Sequence, residues 1–285
     1  MTSRTTTAIL DGLAFPEGPR WHEGRLWFSD QHDKRVVAMQ VDGTAETIVE
    51  VPQQASGLGW LPDGQLLVVS MLDRKVMRLE PDDSLAVHAD LSRLAPGSCN
   101  DMVVDARGRA YVGNFGFDMY AGEKPRETCL IAVEPDGQAH VVAEELAFPN
   151  GSVITADEST LLVGESMASR ISAFDIAPDG TLGNRRVWAQ LEGATVDGMC
   201  LDAEGLVWAA CPFSGRVLRI REGGEVVDEV TGTHPFAFAC MLGGDDRRTL
   251  YVCTAPSHVP EEARAAHAGR IEAVGEVPVV LMADR

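Results

Sequence analysis

The chain has 285 residues, 45% of them hydrophobic, with 24 basic against 43 acidic side chains and a formal net charge of −19. That balance excludes a nucleic-acid-binding or anionic-membrane-binding surface, which would need clustered Lys and Arg. No apolar window is long enough for a membrane span, and polar Met1 to Thr7 does not read as a secretory leader. The six cysteines (Cys99, Cys129, Cys200, Cys211, Cys240, Cys253) lack CxxC spacing and several fall inside apolar strands, so the expectation is a reduced, cytoplasmic protein.

One pattern recurs six times: an acidic or amide residue, an apolar strand, a tight turn and a second apolar strand. In chain order the copies are Glu17-Gly18-Pro19-Arg20-Trp21 before Leu26-Trp27-Phe28, and Ser56-Gly57-Leu58-Gly59-Trp60 before Leu66-Leu67-Val68. Next come Asn100-Asp101-Met102-Val103-Val104 before Ala110-Tyr111-Val112, and Asn150-Gly151-Ser152-Val153-Ile154 before Leu161-Leu162-Val163. The last two are Asp197-Gly198-Met199-Cys200-Leu201 before Leu206-Val207-Trp208, and Phe238-Ala239-Cys240-Met241-Leu242 before Leu250-Tyr251-Val252. The copies are spaced by roughly 40 to 50 residues, the period of a propeller blade.

Each copy is followed by two more alternating, β-branched runs, such as Arg35 to Met39 with Glu46 to Val49 in the first and Arg270 to Val274 with Val277 to Leu281 in the last. The prediction is an all-β, six-bladed β-propeller with four antiparallel strands per blade, one domain over residues 1–285. Its ring should be closed by the short N-terminal strand Thr6 to Leu10 pairing with the last blade. Trp21, Trp27, Trp60 and Trp208 follow the blade pattern and are expected to pack between blades.

In such a blade the first strand lines the axis, and its start lies on the same face as the loop joining the second and third strands. Glu17, Ser56, Asn100, Asp101, Asn150, Asp197 and the His234 to Phe238 region therefore converge, with no Lys or Arg at those positions. Carboxylates gathered away from water call for a cation. Oxygen donors of this kind suit Ca²⁺, Mg²⁺ or Mn²⁺, and Zn²⁺ stays open as an alternative. Each residue alone has a plainer reading: Asn150-Gly151 fits a turn, and Glu17 and Asp197 fit solvated strand starts.

The motifs Glu17 to Trp21, Asn100-Asp101, Asn150-Gly151 and Asp197 to Cys200 followed by Asp202 to Gly205, in this order on four blades, resemble the SMP-30/gluconolactonase/luciferin-regenerating-enzyme family. The resemblance implies one catalytic divalent metal on the axis, Ca²⁺ favoured, and hydrolysis of a lactone. It implies Glu17, Asn150 and Asp197 as ligands, with Asn100 a substrate-orienting residue or, as in the diisopropylfluorophosphatase-like branch, a fourth ligand. Animal-type sugar lactonases carry Arg where this chain has Ser98, which argues against a simple sugar lactone. Asp197 or Asp101 is the expected general base. The expected substrate contacts are Asn100, Ser98, His32, Phe115, Phe117, Met167, Phe213 and His234, and an apolar rim of this kind fits a hydrophobic or aryl lactone or ester. The expected partner is that small molecule, for a monomer or small homo-oligomer. The rival readings are a phosphotriesterase-like hydrolase on the same scaffold and a non-enzymatic propeller with a structural metal.

Overall fold

The computed structural model describes residues 4–275 and residue 277. Six antiparallel sheets follow one another around a ring. The axial strands, in order, are Pro16–His22, Ala55–Trp60, Cys99–Val104, Pro149–Ile154, Met199–Leu201 and Phe236–Gly243. Each is joined by a tight turn to a second strand: Arg25–Asp30, Leu66–Ser70, Ala110–Asn114, Thr160–Glu165, Val207–Cys211 and Thr249–Ala255.

Closure takes the predicted form with one correction. The outer edge of the sixth blade is Thr7–Leu13, antiparallel to Gly269–Val274. This is the place the sequence pattern gave to Val277 to Leu281, which, apart from Val277, lies outside the described residues. Val277 itself is buried, and its amide donates to Arg248 O at 3.2 Å. The preceding residues Arg4–Thr5 add a parallel fifth strand to the fifth blade, beside Val226–Thr231, so the N-terminal segment ties two blades together. That pairing was not legible, because two residues carry no periodicity.

The core is distributed between blades. One buried cluster around Leu58 and Val68 joins blades 1 and 2, and another around Leu67, Met102 and Ile131 joins blades 2 and 3. Tyr111 and Leu161 lie between blades 3 and 4, and Met199 and Ile171 between blades 4 and 5. Trp208 and Val252 join blades 5 and 6, and Phe28 and Tyr251 join blades 6 and 1. The tryptophans reinforce these seams: Trp21 stacks on Tyr251 at 5.6 Å and Trp27 meets Trp60 edge-on at 5.5 Å. A blade therefore hides its apolar faces only by having both neighbours, which makes closure a global requirement.

Glu272 is a latch at the closing seam. Its fully buried carboxylate accepts hydroxyl hydrogen bonds from Thr6, Thr233 and Thr254 and the amide of Thr233 at 2.9 Å. Burial pushes its pKa up, but the bonds from Thr233, Thr6 and Thr254 outweigh it and hold the group below its ordinary value. A depressed carboxyl pKa contributes stability that is present above the unfolded value and lost as pH falls through the folded one. Glu272→Ala should therefore lower stability by about 1–3 kcal/mol, read as a drop in thermal midpoint at neutral pH. The gap to the wild type should narrow on acidification.

Candidate metal centre

The axial strands carry the site, and local backbone irregularity aims its side chains. Ladder register shifts between Glu17 and Arg20, Ala55 and Leu58, Cys99 and Met102, Pro149 and Ser152, and Ala237 and Ala239. In the fifth blade the strand starts late, and Asp197 N donates to Ala210 O at 3.0 Å. Such bulges bend a strand and redirect its side chains. Five of the six lie at the same height, so each blade turns its first residues toward the axis.

Neighbouring axial backbones nearly touch there. A Cβ on Gly57 would stand 2.3 Å from Met102 N, and one on Gly151 would stand 2.5 Å from Asp197 O. Only glycine permits that approach. Buried acids at the ends of second strands fix the entry into the ring. Asp30 accepts the amides of Ala14 and Phe15 at 3.0 and 2.9 Å, and Glu165 accepts that of Ala147 at 2.9 Å. Arg35 pairs with Asp30, and Arg170 and Arg185 with Glu165.

Glu17, Asn100, Asp101, Asn150 and Asp197 are brought together, all nearly inaccessible except half-buried Glu17. Asn150 Nδ2 donates to Ser166 Oγ at 3.1 Å, whose hydroxyl donates to Val196 O at 2.6 Å. That leaves the amide oxygen of Asn150 as the end able to ligate. Asn100 Nδ2 is buried without a hydrogen-bond partner. Asp101 is paired with Arg20 at 2.7 Å and accepts the Met102 amide at 2.9 Å. The carboxylate of Asp101, the alternative base expected from the sequence, thus serves a guanidinium, and that Arg sits on an axial strand three residues beyond Glu17.

The carboxyl groups gathered here are costly to ionise. Burial, then the charge of Asp101, pushes Glu17 up to about 8 against the pull of the Gly18 amide and Arg20. Asp197 is raised well above its ordinary value by burial and by the charges of Glu17 and Asp101. Asp101 is raised by burial, with Arg20 opposing. Among the described residues no three His, Cys, Asp or Glu side chains are placed to share one ion. A metal here would be held by Glu17 and Asp197 together with carboxamide oxygen from Asn150 and Asn100, a hard, oxygen-only set that fits Ca²⁺ or Mg²⁺ better than Zn²⁺.

The expected substrate contacts other than Asn100 fall in different places. Met167 and Phe213 are exposed at the mouth, and half-buried Ser98 accepts the Phe115 amide through its carbonyl at 2.9 Å. Phe115 and Phe117 are corrected: both are buried, Phe115 stacking on Phe148 at 4.5 Å, so they support the third-blade loop from within the core. His234 lies against Ala268, Arg270 and Glu272 in the outer part of the sixth blade. His32 is buried, with Nδ1 3.1 Å from Gln54 Nε2, Nε2 3.4 Å from His258 O, and its ring stacked on Phe15. Gln54 donating to Nδ1 and Nε2–H donating to the carbonyl satisfies both nitrogens in the neutral form. Burial lowers its pKa to about 4, so His32 is a wall and not an acid–base group. Tyr120, on the same third-blade loop, is exposed.

The sequence profile of the SMP-30/gluconolactonase/LRE-like region matches residues 15–256. Regucalcin of Danio rerio is 29% identical over 221 residues, spanning 75% of this chain and 70% of that protein. The 6-deoxy-6-sulfogluconolactonase of Pseudomonas putida is 27% identical over 222 residues, spanning 74% and 72%. The chain is similar in fold to the crystal structure of a calcium-binding regucalcin from Agrobacterium tumefaciens, with a TM-score of 0.82, 20% identity and coverage of 97% and 96%.

The raised carboxyls give the metal-free protein a defined pH response. A carboxyl pKa raised by folding contributes stability present below the unfolded value and lost as pH rises through the folded one. Protein stripped with chelator should lose thermal stability as pH rises from about 5 to about 9. Saturating Ca²⁺ should remove most of that slope, and Glu17→Gln should flatten it without any metal.

Proposed function

The chain belongs to the SMP-30/gluconolactonase/LRE-like family, and from that premise we propose that it is a divalent-metal-dependent hydrolase that opens lactone rings. The observation that carries the reading is the pairing of half-buried Glu17 with buried Asp197, flanked by Asn100 and Asn150, with the nearby guanidinium of Arg20 committed to Asp101. One relative whose name states an activity, the 6-deoxy-6-sulfogluconolactonase of Pseudomonas putida, supports the same class.

A divalent cation held by Glu17, Asp197, Asn150 and Asn100 would polarise a carbonyl oxygen and neutralise the carboxylates. The chain supplies the remainder. Asp197 accepts the proton of the water that attacks the lactone carbonyl carbon. The unpartnered amide N–H of Asn100 is available to a substrate oxygen and orients the ring. Arg20 holds Asp101 in place. Ser166 fixes the rotamer of Asn150 from behind. The ring then opens as the alkoxide leaving group takes up the proton held at Asp197.

The test is hydrolysis of a panel of sugar, alkyl and aryl lactones by chelated protein, with Ca²⁺, Mg²⁺, Mn²⁺ or Zn²⁺ added back. Activity should vanish on chelation and return with one of the ions. Asp197→Asn should lower kcat by about 10²–10⁴-fold, the range for loss of a general base. Asn100→Ala should act chiefly on KM. A lack of turnover of every lactone at saturating metal, with aryl phosphotriesters cleaved instead, would move the protein to the other hydrolase class.

A further inference from the structure

The loops that join second to third strands in blades 2 to 6 each present one exposed large apolar side chain: Leu72, Tyr120, Met167, Phe213 and Val259. Their exposures run from 38% to 70%. Among the described residues the other exposed large hydrophobics are four valines, Val41, Val87, Val141 and Val187, on outer strands or the opposite turns. Apolar exposure is thus concentrated at equivalent positions of five successive blades.

Strand register puts these loops on the metal-centre face. Pro149 pairs with Glu165 and Phe236 with Ala255, so the starts of axial strands stand beside the residues from which the loops depart. Aromatic rings connect rim to axis. Phe213 meets Phe236 edge-on at 6.1 Å, Phe236 stacks with Phe238 at 5.8 Å, and Phe238 packs on Phe15 at 4.5 Å. Phe15 is two residues from Glu17. The first blade breaks the apolar series with a polar sector, where Asp33 meets His267 at 3.5 Å. The result is an apolar horseshoe around a mouth whose floor is carboxylate and carboxamide.

We propose that this horseshoe is the subsite for an apolar substituent, so that the substrate is a lactone bearing an alkyl or aryl side chain. The inference rests on the hydrolase reading above and adds the substrate class. The lactone head reaches the oxygen donors at the axis, and the side chain lies along the rim between Tyr120 and Phe213. A polyhydroxylated sugar lactone would leave these side chains facing water.

The test uses full-length, metal-loaded protein and γ-lactones whose side chain grows from hydrogen to hexyl, with a phenyl-substituted member. The wild type should gain about two- to fourfold in kcat/KM for each added methylene, the value of burying such a group in part or in full. Phe213→Ser and Met167→Ser should flatten that gradient, while Val187→Ser on an outer strand should keep it. Calorimetric affinities for the same series provide a readout that needs no turnover. A gradient in affinity that Phe213→Ser abolishes, without hydrolysis, would uphold the subsite and remove the hydrolase reading. Equal kcat/KM and equal affinity along the series would overturn the subsite and leave hydrolysis standing. A concentration-dependent dimer dissolved by Phe213→Ser, with no gradient, would assign the horseshoe to a second copy of the chain and overturn the proposal.

Discussion

Everything at the axis depends on how closely the inner strands approach. Gly57 against Met102 and Gly151 against Asp197 let the backbones meet at distances that no side chain would allow. The register shifts beside them then turn Asn100, Asp101 and Asn150 inward. A wider ring would admit water and relax the carboxylates, whereas this one desolvates Glu17 and Asp197 and raises the cost of their charge. Packing at the axis thus holds carboxyl groups whose charge a bound cation would offset.

That conversion needs the ring to stay closed. Each seam has its own apolar cluster, so opening one blade exposes two faces. At the last seam, Thr6 and Glu272 add a buried polar link between the N-terminal segment and the sixth blade. The acids Asp30 and Glu165 carry the same logic inward: by binding the amides of Ala14, Phe15 and Ala147 they fix where Glu17 and Asn150 begin. Stability and site geometry share these residues. The mouth is built differently, from loops that carry side chains the ring does not need. On the proposed reading, reaction class and substrate preference reside in separate parts of the chain.

Much of this was legible in sequence, for physical reasons that can be named. Apolar alternation and turn dipeptides repeat with the blade, so the six units and the convergence of Glu17, Asn100, Asn150 and Asp197 followed from spacing. Contacts across the ring have no such periodicity. Arg20 lies 81 positions from Asp101, and nothing local marks the pair. Residue type misplaced Phe115 and Phe117, because an aromatic ring on a long loop serves core and pocket equally well until Phe148 is seen to take it up. His32 was expected on the rim from its place on a loop, and its contacts with Gln54, His258 O and Phe15 make it part of the wall instead. The closing strand was found at one end of the chain, but its competitor at the other end had the same β-branched pattern, and only pairing with Gly269–Val274 decides between them.

The central claim is that a cation replaces protons on Glu17 and Asp197. It is tested most directly by calorimetric titration of metal-free protein with Ca²⁺ near neutral pH in buffers of different ionisation enthalpy. Because ligands must give up protons held at raised pKa values, the account predicts release of about one proton per bound ion. The release should diminish at higher pH and in Glu17→Gln. Binding at the axis with no proton release at any pH, or no loss of affinity in Glu17→Gln and Asp197→Asn, would contradict it.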